Sequence, residues 1–185
     1  DIGSRNTKIV IWDPRSLQIV WQGYQGTEVS VTSSVDKLLS LSSAHCDVSL
    51  ISKSCVTGYG RKLYRKADKV LSEISCHAAG CYSLFPDCRT IIDIGGQDCK
   101  IISLSSSGAV DDFIMSDKCA AGTGRFLEMT AFRLECSLDE LTHLADQSDV
   151  DLKLNSTCVV FAESEIIGLL AEGYSSQNIA HAVYM

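Results

Sequence analysis

Two cysteine residues stand in sequence contexts that favour metal chemistry. Cys119 lies in SDKCAAGTGRF, residues 116–126, and Cys158 lies in STCVVFAESE, residues 156–165. Each precedes a stretch whose pattern predicts the start of a helix. Free N–H groups and the positive end of the helix dipole at such a start favour a thiolate over a thiol. Because thiolates are the usual ligands of iron–sulfur clusters, the two cysteines can bind a metal cluster. Taken alone, each would more often be a buried thiol, and it is their sequence context that favours the cluster.

The number of these cysteines predicts a second copy of the chain. A four-iron cluster normally takes four ligands, and the two segments supply only two. The simplest explanation is that a second copy of the chain supplies the other two ligands. Free cysteine often packs as a small hydrophobe. On that ground the other seven are predicted to be buried thiols: Cys46, Cys55, Cys76, Cys81, Cys88, Cys99 and Cys136.

Two further segments combine a carboxylate with a glycine turn. They are DIGS at residues 1–4 and DIGGQD at residues 93–98. Glycine lets backbone N–H groups approach phosphate oxygens, the aspartate can hold Mg²⁺, and Lys8 can add a positive charge. One such segment is most often an ordinary turn. Two at equivalent points of a repeat predict two turns that grip a nucleotide's phosphates across a cleft between lobes.

The pattern of apolar residues predicts that α and β elements alternate along the chain. A strand, a returning strand and later helices follow each of the two turns, which indicates a weak internal repeat and two similar lobes. Strands are predicted at residues 8–12, 17–22, 48–56, 90–98, 100–104 and 109–115. Helices are predicted at residues 32–41, 67–82, 122–134, 137–145, 163–172 and 175–184.

Composition limits the class of function. The chain has 185 residues, of which 45% are hydrophobic and 21% charged, which is ordinary for a globular protein. A net charge of −7 argues against nucleic acid as a partner. No apolar run predicts a membrane span and no signal peptide is evident, so no membrane partner is expected. Nine cysteines, an odd number, predict a reducing cytoplasm rather than a disulfide framework.

The full set of motifs resembles a known family. The motifs are DIGS at 1–4 with Lys8, TGYGR at 57–61, SEISCHA at 72–78, DIGGQD at 93–98 with Lys100, DKCAAGTGRF at 117–126, and Cys158 with FAESE at 161–165. They resemble the activator component of 2-hydroxyacyl-CoA dehydratases, in the BadF/BadG/BcrA/BcrD ATPase family. That family lies within the acetate kinase, sugar kinase, Hsp70 and actin superfamily. The motifs span nearly the whole chain, and the two cysteine segments are the most specific.

The resemblance implies an α/β fold of the actin-like ATPase type with two ribonuclease H-like lobes. Residues 1–88 would form the first lobe, and residues 89–185 the second lobe with the cluster cysteines. The family normally has a strand before the first turn and continues well past residue 185. The second lobe is therefore expected to be incomplete, and the chain to be truncated at both ends.

The resemblance also implies the site residues and cofactors. Cys119 and Cys158 would hold one oxygen-sensitive [4Fe–4S] cluster per homodimer, and the turns would bind ATP or ADP with Mg²⁺. The catalytic residues would be Asp1, Gln97 and Asp98, with Gln97 or Asp98 positioning the attacking water. The nucleotide-binding residues would be Gly3, Ser4, Arg5, Asn6, Thr7, Lys8, Gly95, Gly96 and Gln97.

The implied function is an ATP-dependent activator that transfers a low-potential electron from the cluster to a 2-hydroxyacyl-CoA dehydratase. A ferredoxin or flavodoxin would reduce the cluster again. Three alternatives stay open from the sequence. They are the ATPase subunit of a benzoyl-CoA reductase, a cluster-free small-molecule kinase of the same superfamily, and a non-catalytic fragment that only dimerises.

Overall fold

The computed structural model describes residues 1–117, 122–154 and 158–185. The chain divides into two units. The first comprises Asp1–Ile91 and Ile102–Phe113, and the second comprises Ile92–Ile101 and Ile114–Met185. Since this division falls inside the segment of residues 90–116, the lobe boundary expected after residue 88 stays a prediction.

The first unit begins with a β-hairpin, which confirms the hairpin expected from the sequence. Strands β1 (Asn6–Asp13) and β2 (Gln18–Gly26) pair antiparallel. Their connection is closed by the Asp13 carboxylate, which accepts hydrogen bonds from the Arg15 N–H at 2.9 Å and the Ser16 hydroxyl at 2.8 Å. Such local bonds are the reason that aspartate favours turns.

Helix α1 (Val31–Ser42) follows, and Ser30 caps its first turn. The strand predicted at residues 48–56 is wrong for most of its length. Val48–Leu50 form a 3-10 turn because the Asp47 carboxylate accepts the Ser49 N–H at 3.0 Å, and the next three residues are exposed. Only β3 (Cys55–Val56) is a strand.

Strand β4 and helix α2 occupy the segment predicted as one helix at residues 67–82. Lys69–Val70 form β4, which pairs in parallel with β3. Helix α2 (Glu73–Leu84) begins only after Ser72, whose hydroxyl accepts the Ser75 N–H at 3.0 Å. The predicted start was wrong because an N-cap serine fixes where the helix begins.

A three-stranded sheet comes next, with strand order β5 (Thr90–Ile94), β6 (Cys99–Leu104) and β7 (Val110–Ser116). Two apolar clusters fill the interior of the first unit. One contains Ile2, Val35 and Val56, and the other contains Ala78, Ile91, Ile102 and Leu104.

The second unit carries four helices among its described residues: α3 (Gly124–Arg133), α4 (Leu138–Ala145), α5 (Val159–Ala171) and α6 (Ser176–Tyr184). Helix α5 begins four residues earlier than the predicted residue 163. Capping boxes start α4 and α6. The core of this unit contains Ala131, Leu134, Leu141, Ile166, Ile179 and Ala180.

The burial predicted for the seven other cysteines is wrong. Cys55 is exposed, because the side chains of β3 alternate and Val56 takes the buried position. The remaining six are half-buried: Cys46, Cys76, Cys81, Cys88, Cys99 and Cys136.

Candidate functional site

Backbone hydrogen bonds close the first Asp–Gly turn. The Gly3 N–H donates to the Asn6 carbonyl at 3.0 Å, and the Lys8 N–H donates to the Asp1 carbonyl at 2.8 Å. The Lys8 ammonium lies 3.2 Å from the Asp1 carboxylate, and both side chains reach solvent. The turn therefore combines an accessible carboxylate, a cation and a glycine backbone, which are groups that bind phosphates and Mg²⁺.

Thr7 stabilises this turn from the interior. Its side chain is fully buried, and its hydroxyl lies 2.9 Å from the Thr27 hydroxyl. Thr27 in turn donates to the Gly3 carbonyl at 2.8 Å. The other predicted phosphate-binding residues of the turn are half-buried or exposed: Ser4, Arg5 and Asn6. Thr7 thus differs from Ser4, Arg5 and Asn6 in accessibility, since its side chain is buried and its hydroxyl already bonds within the protein.

The TGYGR segment packs directly against the first turn. The Ile2 N–H donates to the Thr57 carbonyl, and the Gly60 N–H donates to the Ile2 carbonyl, both at 2.8 Å. Gly58 has a φ of +98°, and a Cβ atom there would lie 2.4 Å from the Ile2 carbonyl oxygen. Only glycine fits such an approach, so this segment fixes the backbone beside Asp1.

A buried lysine stabilises the second Asp–Gly turn. Lys100 is 4% exposed, and its ammonium lies 3.2 Å from the Asp93 carboxylate and 2.8 Å from the Asp98 carboxylate. The Gly95 N–H donates to the Asp98 carbonyl at 2.8 Å, which closes the turn. Two carboxylates around one cation leave a net negative charge, which suits a site for a divalent cation.

The two turns are built in the same way. Each has a glycine N–H bonded to the carbonyl three residues on, and each has an Asp–Lys ion pair at 3.2 Å. The corresponding residues are all 92 positions apart: Asp1 and Asp93, Gly3 and Gly95, Lys8 and Lys100. Burial distinguishes them, because the Lys8 side chain is 58% exposed and that of Lys100 is 4% exposed.

The thiol of Cys99 adjoins the second turn. Burial raises the pKa of this thiol, and the Asp98 and Asp93 carboxylates raise it further, against the opposing effect of Lys100. The protonated Sγ donates to the Gly122 carbonyl at 3.3 Å. Cys99 therefore acts as a hydrogen-bond donor between strand β6 and the segment that precedes α3.

Cys158 is the N-cap residue of α5, which confirms the prediction that it precedes a helix. Its side chain is exposed and accepts no capping hydrogen bond. The first N–H groups of the helix have no partner within it, so the start of α5 presents hydrogen-bond donors and the positive end of the helix dipole beside this sulfur. Cys119 lies outside the described residues.

The exposure of Cys158 is compatible with a role as a cluster ligand. Within residues 1–117, 122–154 and 158–185, no three His, Cys, Asp or Glu side chains are grouped to hold a metal. The Cys158 thiol faces solvent, where ligands of another chain can approach it. An accessible thiol at the start of a helix is chemically able to ligate an iron–sulfur cluster.

Sequence reasoning missed the contributions of Lys100, Thr27, and the pair Arg133 and Glu163. The seven-residue spacing from Asp to Lys is present in both turns and would have identified Lys100. The guanidinium of Arg133 donates to the Glu163 carboxylate through Nε, at 2.9 Å, and through Nη2. These two residues lie 30 positions apart and left no local signal in the sequence.

The fold and the duplicated turn define an α/β protein of the actin-like ATPase class. The model of the BadF/BadG/BcrA/BcrD ATPase family matches residues 1–184. The chain belongs to this family, which confirms the resemblance that the motifs indicated.

Similar proteins are activators of dehydratases. The chain is 46% identical over 187 residues to the "Activator of lactoyl-CoA dehydratase" of Anaerotignum propionicum, an alignment covering 100% of this chain and 71% of that relative. The activator of the 2-hydroxyisocaproyl-CoA dehydratase from Clostridium difficile, solved with bound ADPNP, superposes with a TM-score of 0.86 at 41% identity. That superposition covers 99% of this chain and 68% of the other.

Component A of the (R)-2-hydroxyglutaryl-CoA dehydratase of Acidaminococcus fermentans has a TM-score of 0.87 at 37% identity. The match covers 100% of this chain and 71% of that one. Among the described residues of the present chain, no helix combines the length and apolar character needed to cross a membrane.

Proposed function

We propose that this chain is an ATP-dependent activator that transfers a low-potential electron to a 2-hydroxyacyl-CoA dehydratase. The electron would leave a [4Fe–4S] cluster shared by two copies of the chain. The observation that carries the proposal is the duplicated Asp–Gly turn with its Asp–Lys ion pair. The similarity to dehydratase activators supports the choice of partner.

Each turn carries groups suited to the phosphates of ATP or ADP. In the first turn, the backbone of residues 3–8 would approach the phosphates, Asp1 would hold Mg²⁺ directly or through water, and Lys8 would offset phosphate charge. In the second turn, Gly95 and Gly96 provide close backbone contacts. Gln97, which is exposed, or Asp98 positions the attacking water.

Lys100 is a positioning residue in this scheme. Its ammonium bonds to one oxygen of Asp93 and one of Asp98, which fixes the orientation of both carboxylates beside the turn. Because the lysine is buried, its charge is screened little by salt. The orientation of Asp98 therefore depends on a contact that solvent does not disrupt.

Cys119 and Cys158 of each copy would hold the cluster, and the active form would then be a homodimer. When bound, the cluster supplies the low-potential electron. The chain contributes an exposed thiol at Cys158 and the N–H groups at the start of α5, which stabilise negative charge on sulfur. ATP hydrolysis would make the transfer favourable, and a ferredoxin or flavodoxin would return an electron to the cluster. The protein is then sensitive to oxygen.

Iron analysis tests the shared cluster. The anaerobically reconstituted protein should contain about two iron atoms per chain, half of a four-iron cluster. Cys158→Ala should lose this iron, whereas Cys55→Ala should keep it, because Cys55 is also an exposed thiol but lies on β3. About four iron atoms per monomeric chain, or none after strictly anaerobic reconstitution, would overturn the shared cluster.

A further inference from the structure

Helix α3 starts on the second Asp–Gly turn. The N–H groups of Gly124 and Arg125, the first two residues of the helix, donate to the carbonyls of Gly95 at 3.1 Å and Gly96 at 2.9 Å. Such N–H groups have no partner within a helix, and here the turn supplies it. A displacement of the Gly95–Gly96 peptide groups therefore acts directly on the N-terminus of α3.

The Cys99 thiol adds a third hydrogen bond near the N-terminus of α3. It donates to the Gly122 carbonyl at 3.3 Å. This hydrogen bond joins strand β6 to the segment just before α3, in addition to the two backbone hydrogen bonds of Gly124 and Arg125. The beginning of α3 follows the turn through three hydrogen bonds.

The other end of α3 contacts the helix that carries Cys158. Arg133 is the last residue of α3, and its Nε and Nη2 both donate to Oε1 of Glu163. Glu163 is the fifth residue of α5, so it lies little more than one turn from Cys158. The signs of both charges suit their helices, because a cation is favourable at the end of a helix and an anion near its beginning.

Apolar packing and an ion pair both join these helices. Ala131 and Leu134 of the α3 segment share a core with Ile166 of α5, but hydrophobic contact is non-directional. The Arg133–Glu163 pair uses two donors of a rigid guanidinium and is directional. It is therefore the described contact best suited to transmit an axial shift of α3 to the first turns of α5.

We propose that Arg133 and Glu163 are positioning residues that couple the nucleotide state of the turn at residues 93–98 to Cys158. This inference rests on the proposed function, in which the turn binds nucleotide. When the turn changes its contacts between ATP and ADP, α3 moves with it through Gly124 and Arg125. The ion pair then shifts the first turns of α5 and changes the surroundings of the Cys158 sulfur.

The test measures Cys158 itself in the intact protein without iron. Cys158 is alkylated anaerobically by iodoacetamide with Mg–ADP or Mg–ADPNP present, and mass spectrometry of its peptide gives the rate. The wild-type rates should differ about fivefold or more, the lower range of typical coupling between sites. Arg133→Met should reduce the difference below about twofold, and Arg133→Lys, which keeps the charge, should recover part of it.

Matched variants separate this coupling from a merely structural role. Glu163→Gln should behave like Arg133→Met, whereas Glu172→Gln, which removes a carboxylate from the far end of α5, should match wild type. The pair is about one-third exposed on each side, so the variants should unfold at the same urea concentration as wild type. The rate at Cys55, in the other unit, should be the same in wild type and in every variant at a given nucleotide.

Two results would overturn the inference. One is a full nucleotide dependence of the Cys158 rate in Arg133→Met. The other is no such dependence in wild type, even where equilibrium dialysis shows bound nucleotide. Neither result bears on the iron content per chain, which decides the shared cluster separately, so failure of the coupling and failure of the proposed function can be told apart.

Discussion

Replacing Lys100 by methionine tests whether the second turn depends on a buried cation. Methionine has a similar length and removes only the charge and its hydrogen bonds. Lys100→Met leaves the carboxylates of Asp93 and Asp98 facing each other around an apolar side chain. Both carboxylates are about one-fifth exposed, so solvent replaces only part of what the ammonium provides.

The expected loss of stability follows from this burial. Breaking a buried ion pair by removing one partner costs about 3–5 kcal/mol, because the remaining charge is no longer compensated. The partial exposure of Asp93 and Asp98 places this case at the lower end, and we expect about 3 kcal/mol. For a chain of this size such a loss lowers the Tm by about 6–12 °C.

The first turn provides the matched control. Lys8 pairs with Asp1 at the same distance, 3.2 Å, but its side chain is 58% exposed. Exposed ion pairs contribute about 0–1 kcal/mol, so Lys8→Met should cost less than about 1 kcal/mol. The two variants remove the same group from equivalent positions and differ in burial.

Urea unfolding followed by circular dichroism measures both free energies. Asp98→Asn added to Lys100→Met should recover part of the loss, because it removes one of two facing charges; this gives the double-mutant cycle. Equal losses in Lys8→Met and Lys100→Met, or a larger loss in the double variant than in Lys100→Met, would refute the reasoning.

Two further predictions concern the supports of the turns. Gly58→Ala should cost about 2–3 kcal/mol in urea unfolding, because its φ is +98° and the new Cβ would meet the Ile2 carbonyl; Gly26→Ala, with open space around it, should change stability by less than about 0.5 kcal/mol. Cys99 should react with iodoacetamide more slowly at pH 8 than an ordinary thiol, since its raised pKa leaves less thiolate. Asp98→Asn should lower that pKa and speed the reaction, and an unchanged pH–rate profile would show that the carboxylate does not act on Cys99.

The chemistry of the site could be predicted from the sequence where it depends on local patterns. Cys158 was correctly placed before a helix, because the residues from Glu163 onward have helical character, although α5 itself begins at Val159. The β-hairpin was likewise evident, since Asp13 and Pro14 favour a turn between two apolar runs. In both cases the signal lies within a few residues of the feature.

Elements that depend on distant partners could not be predicted in this way. Lys69 and Val70 have no strand signal of their own and become β4 because they pair with Cys55 and Val56. The Arg133–Glu163 contact requires two helices to pack first. Lys100 is an intermediate case, since it lies on the same buried face of β6 as Ile102 and Leu104. A lysine on a buried face indicates that an acidic partner lies nearby, but the local sequence does not show which residue it is.

The most direct test of the central claim is an anaerobic dehydration assay. A 2-hydroxyacyl-CoA dehydratase, drawn from a panel that differs in acyl substrate, is mixed with this protein, Mg–ATP and reduced ferredoxin. We expect at least one dehydratase to form enoyl-CoA only when the protein, ATP and reductant are all present, with ADPNP unable to replace ATP. Dehydration that starts without ATP, or ATP consumption that phosphorylates a small acceptor and activates no dehydratase, would contradict the account.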